Sequence, residues 1–134
     1  MQMTLNKTQV EKILTDYYRE KEDINGTVKM KTTKEQVGYY RDEHIAAVTR
    51  IELSGTTTLL GTEIPVKRII PFEEYEGIFK GLLQERGYDV NRLWIDSGLD
   101  TVWTGYGLAE RSEKKVYCHG IKIDVEKQVK EFKR

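Results

Sequence analysis

A single cysteine, Cys118, stands among 134 residues, so the chain can form no disulfide of its own. Met1 is followed by no apolar leader, and together the two absences point to a reducing, cytoplasmic setting. Apolar runs stop at three or four residues, Ile45-Ala46-Ala47-Val48 being typical, far short of the ~20 that a membrane-spanning helix needs. Net charge is missing as well: 22 basic residues balance 22 acidic ones. A dedicated nucleic-acid binder would carry a basic excess, so nucleic acid is not the expected partner, and an acidic mimic of DNA is excluded on the same ground. Only two prolines interrupt the chain, while eight Tyr, three Phe and two Trp supply material for burial, which excludes disorder.

The length suits one domain. Charge is nevertheless uneven along it. Phe72 to Glu110 holds eight acids against three bases, a net −5, and Glu113 to Arg134 holds seven bases against four acids, a net +3. Such a split belongs first to solvated faces that complement one another.

The clearest local signal opens the chain. Asn6 can cap the first amides of a helix while Gln9 reaches back to it, and Leu5 and Val10 sit at the two ends of a hydrophobic staple. Val10, Ile13, Leu14 and Tyr17, extended by the Lys21 stem, then repeat at helical spacing up to Asp23, before Asn25-Gly26. Residues 27–31 alternate as a strand, whereas Thr33 to Gln36 has the form of a second capping box with helical spacing from Val37 to Ile51 behind it. For 45–54 the alternation and β-branching of Val48 to Leu53 favour a strand, ended by a turn at Ser54-Gly55-Thr56-Thr57 and followed by a second β run, Thr58 to Ile70. Pro71 at a first helical position, Glu73, Glu74 and Glu76 at the positive end of the dipole, and Gly87 past Arg86 delimit a second helix. Tyr75, Ile78, Phe79, Leu82 and Leu83 form its apolar stripe. Three β runs follow, 91–96, 101–108 and 115–124, linked by Ser97-Gly98-Leu99-Asp100 and by the charged 110–114, and Val125 to Phe132 reads as a short closing helix. The expected fold is therefore a single α+β domain over residues 1–134, in the order α-β-β-β-α-β-β-β-α, with a largely antiparallel sheet packed by helices; the two β-β-β blocks also permit a two-lobed sheet.

Chemistry-bearing residues are sparse. Cys118 and His119 are neighbours, and adjacent strand residues face opposite ways, so without a bulge they form no nucleophile–base pair. A half-buried histidine and a packed thiol are the expected identities. His44 with Asp42, Glu43 and His119 could in principle hold a metal, but no His-x₃-His, Cys-x₂-Cys or acidic twelve-residue loop supports it, and no metal or cofactor is expected. Gly105-Tyr106-Gly107 lacks the third glycine and the helix start of a pyrophosphate cradle. Asp96 and Asp100, four residues apart, would flank a turn and bond their own backbone; with His119 they are the only residues on which an enzyme reading could rest.

Aromatic residues are the most suggestive feature. Trp94, Trp103, Tyr106 and Tyr117 fall in the expected meander with Arg92 and Arg111 near its ends. These rings are either core or a surface, and as a surface they suit a protein partner, whose contacts favour Trp, Tyr and Arg. A nucleotide stacked in a pocket lined by Trp and Arg is the alternative. Gly77 and Gly81, four apart in a strong helix beside Glu73, make a smooth strip against which another element, or a second copy of the chain as a homodimer, could pack. The sequence thus reads as a small non-catalytic binding protein or regulator acting through protein contact. A phage or mobile-element accessory protein inhibiting a host enzyme or defence complex fits that description.

Overall fold

The computed structural model describes residues 1–39 and 44–129. Over these the chain is mixed α+β: β1 (Gln2–Leu5), α1 (Lys7–Glu22), β2 (Asn25–Val37), β3 (His44–Leu59), β4 (Thr62–Ile70), α2 (Phe72–Gln84), β5 (Tyr88–Thr104) and β6 (Arg111–Lys127). All strand pairs are antiparallel and fall into two three-stranded sheets, ordered β2-β3-β4 and β1-β6-β5. Among the described residues no helix is long and apolar enough to cross a membrane.

The capping box forms as the sequence indicates. The Gln9 amide donates to Asn6 Oδ1 at 2.8 Å and the Asn6 amide to Gln9 Oε1 at 2.9 Å. The helix ends at Asp23, whose φ of 54° turns the chain back. Its buried stripe is Val10, Leu14 and Tyr18, so Tyr18 lies deepest where Tyr17 was expected, and Lys21 is exposed. The same face explains why the free edge of β2 does not gape: Thr15 Oγ1 accepts from the Val28 amide and Glu11 Oε2 from the Met30 amide, each at 2.9 Å. At the far edge of that sheet, β4 carries Pro65, which has no amide to offer.

Several expected boundaries fall elsewhere. Thr33 to Gln36 continues β2, because Glu35 is drawn across the ladder to Arg50 instead of capping a helix. The capping box and the helical spacing behind it are therefore absent from β2 and β3; residues 40–43 lie outside the described part. Ser54 to Thr57 is no turn either. Gly55 faces Gly26 across the ladder, so close that a Cβ on either would sit within 2.6 Å of the other's Cα, and the real hairpin turn is Leu60-Gly61, both with positive φ. Likewise 97–100 runs straight through β5, with the Tyr117 ring lying over Gly98, and 110–114 largely joins β6. Two expected strands thus merge into one, and the meander becomes a long β5–β6 hairpin. Its third neighbour is β1, which the sequence did not announce. Pro71 is the N-cap of α2 instead of its first residue, and the helix stops at Gln84, before Arg86. Val125 to Lys127 ends β6 where a closing helix was expected; Phe132 lies outside the described residues.

One apolar cluster joins both sheets and both helices: Val10, Leu14 and Tyr18 from α1, Val28, Met30, Ile51, Leu53 and Ile70 from the first sheet, Leu93, Ile121, Ile123 and Val125 from the second, and Tyr75, Ile78 and Phe79 from α2. Beside it the Tyr18 hydroxyl donates to Glu74, which also accepts from Arg68 at 2.5 Å, so one carboxylate ties α1, β4 and α2 together. Burial raises the phenol pKa of Tyr18, and the Arg68 hydrogen bond holds Glu74 below the usual carboxylate range.

Candidate binding surface

The β5–β6 hairpin begins in the core and ends well away from it. Along its inner part Leu93 is buried and Ile95 packs on the core, while Arg92, Trp94 and Asp96 take the opposite face, as alternation requires. There the Arg92 guanidinium lies 4.8 Å from the Trp94 ring centroid, covering a half-buried indole, and Lys122 approaches Asp96 at 3.6 Å.

A bulge marks the point where the hairpin leaves the core. Asp96 pairs with Gly120 and Ser97 with Cys118, so His119 is the extra residue. Gly120 has φ 118° and packs so tightly on β1 that a Cβ would meet the Leu5 carbonyl oxygen at 1.9 Å. The bulge leaves Cys118 half-buried against the core and His119 exposed, its ring 4.8 Å from that of Tyr117. The expectation of a half-buried histidine is corrected accordingly: the extra residue is turned out of the ladder.

Beyond the bulge Lys34 Nζ donates to the Lys114 carbonyl at 2.9 Å, holding the arm to β2. From Trp103 to Lys115 every residue is exposed. Trp103 is 66% and Tyr106 94% accessible, and Leu108 beside them is fully so. Leu108 is not among the residues singled out from the sequence, and the strand expected over 101–108 ends at Thr104. The tip is made by backbone: Gly105 has φ 94° and its Cα closes on the Ala109 carbonyl, where a Cβ would approach to 2.4 Å, and Gly107 to Ala109 form one 3₁₀ turn. The Gly-Tyr-Gly motif therefore serves to eject the Tyr106 ring from a tight loop.

The five binding candidates accordingly fall into two groups. Arg92 and Trp94 form a stack near the core, whereas Trp103, Tyr106 and Arg111, the last pairing with Thr104 at the start of β6, belong to the tip. Trp94 and Trp103 are nine residues apart on a strand, roughly 30 Å, too far to line one pocket. Asp96 and Asp100 both sit in β5 and no turn separates them, so the expected self-bonded turn aspartates are corrected to an ion-paired residue and an exposed one opposite Lys115. His44 opens β3; its expected companions Asp42 and Glu43 lie outside the described residues, and among those described no three His, Cys, Asp or Glu side chains could hold a metal. Gly77 and Gly81 lie on the exposed side of α2, near exposed Glu73, and among the described residues nothing comes within 4 Å of a Cβ at either, so neither glycine packs against a described element.

No family model matches the chain, and no curated protein or solved structure matches it either.

Proposed function

We propose that the chain is a non-catalytic binding protein that acts as a regulator through protein contact, and that its contact surface is the tip of the β5–β6 hairpin. The observation that carries this reading is the exposure of Trp103, Tyr106 and Leu108 together on one arm. Large apolar side chains grouped in water are costly for an isolated chain, and Trp and Tyr are the residues that dominate interface energetics. Arg111, Glu110 and Glu113 give the patch a polar rim. The placement of the acid–base residues favours binding over catalysis: Cys118 packs on the core, His119 stacks on Tyr117, and Asp96 is engaged by Lys122.

The test compares the intact protein with a Trp103→Ala/Tyr106→Ala variant as baits in the same extract, each first shown to melt at the same temperature. A partner retained by the intact chain and lost by the variant supports the reading, with at least ~2 kcal/mol of affinity expected at the patch. Equal retention by both baits contradicts it.

A further inference from the structure

The two helices carry more apolar surface than the core consumes. On α1, Val10, Leu14 and Tyr18 are buried, but Ile13 and Tyr17, one step round the helix, are only half covered; on α2 the same holds for Leu82 and Leu83 below Ile78 and Phe79. These four side chains are the walls of a cleft of about 320 Å³ whose floor includes Met3 and Leu5 of β1. Its size is at the lower end of small-molecule sites. Its walls are aliphatic and aromatic, and the charged lining residues are half-buried Asp16 and exposed Glu20, Lys21 and Arg86.

Those charges, two acidic and two basic, are not equally engaged. Asp16 is already held by Lys12 at 2.8 Å and by Arg19 at 3.0 Å, and the Lys12 hydrogen bond keeps its carboxyl below the ordinary range and thus ionised. What remains at the mouth is Glu20 against Lys21 and Arg86, and no ion pair engages either cation among the described residues. Of the four charged residues lining the cleft, Asp16 is thus paired by cations outside it, which leaves Lys21 and Arg86 facing Glu20 alone.

We propose that the α1–α2 cleft binds a single-chain amphiphile with an anionic head, a free fatty acid being the simplest, its tail between Tyr17 and Leu83 and its head at Lys21 and Arg86. The test titrates the full chain calorimetrically with dodecanoate and with dodecyltrimethylammonium, both below their micelle concentrations. Dodecanoate is expected to fill one saturable site and the cation to bind at least ~tenfold more weakly. Leu83→Trp should fill the cleft and abolish uptake. Lys21→Gln/Arg86→Gln changes two exposed residues, should leave melting unchanged, and should weaken dodecanoate by about tenfold; it decides alone if Leu83→Trp does not fold. Absence of a saturable site, equal affinity for the two chains, or dodecanoate binding unaltered in the double-glutamine variant each overturns the proposal. So does flotation of the protein with phosphatidylglycerol vesicles without uptake of free dodecanoate, which would make this a membrane-facing surface.

Discussion

Glu74 shows how much one side chain carries. It accepts from Tyr18 of α1 and from Arg68 of β4 while standing in the first turn of α2, so its charge clasps three elements. Its folded pKa lies below the ordinary 4.5, with the Arg68 hydrogen bond as the main cause. A depressed folded pKa contributes stability that is present above the unfolded value and lost as pH falls through the folded one. Unfolding free energy should therefore drop below about pH 4.5, and Glu74→Gln should be less stable at neutral pH and flatter over the acid limb; urea titrations from neutral pH to pH 3 report both. Glu35 and Glu52, held low by hydrogen bonds from Arg50 and Lys31, add to the same limb, so the variant's slope diminishes without vanishing. Asn6→Ala removes one half of the capping box and should cost about 0.5–2 kcal/mol, read as a lower melting temperature. The box was legible because its two partners are three residues apart. The Tyr18 clasp was not, since Tyr17 and Tyr18 both fit the spacing of the helix and only the distant Glu74 and Arg68 decide between them.

The two helices were legible from caps and spacing, but the capping-box pattern at Thr33–Gln36 lies in β2, the expected helix from Val125 begins as the end of β6, and strands were misread where glycine meant something other than a turn. Both helices lie within two or three residues of where caps and spacing put them. Gly55 and Gly98, however, mark close approach across a ladder, by the backbone at Gly26 and by the Tyr117 ring, and reading them as turns cut β3 and β5 short. Gly77 and Gly81 show the opposite case. Among the described residues nothing lies within 4 Å of a Cβ at either position, so alanine meets no obstacle there. Gly77→Ala and Gly81→Ala should each stabilise the isolated chain by about 0.5–1 kcal/mol, seen as a higher melting temperature. A second copy packed on this strip would reverse the benefit, and sedimentation at increasing concentration would show the dimer weakened in the alanine variants. Gly105→Ala should act in the other direction, because its φ of 94° and the nearby Ala109 carbonyl leave no room for a methyl group.

At the scale of the whole molecule the mixed α+β class and the antiparallel pairing follow from the order of apolar runs, and the two β-β-β blocks allow two sheets, but the make-up of the second sheet does not follow. It rests on β1, four residues that match no strand pattern alone and pair with β6 more than a hundred residues away. The β5–β6 pairing, continued through residues 97–104, carries that hairpin past the core and separates two tryptophans that the sequence placed together. Acrylamide quenching should resolve them. Trp103 should be quenched readily and Trp94 poorly, and Trp103→Phe should remove the accessible component; two equally quenched indoles would contradict this arrangement.

The claim that the hairpin tip is the contact surface is tested most directly by placing a photoreactive amino acid at position 106 and, as a control, at exposed Lys29 on β2. Irradiation in extract should give a discrete protein adduct from position 106 alone, and excess unlabelled protein should compete it away where the Trp103→Ala/Leu108→Ser variant does not. Adducts formed equally from both positions, or competed equally by the variant, would contradict the account.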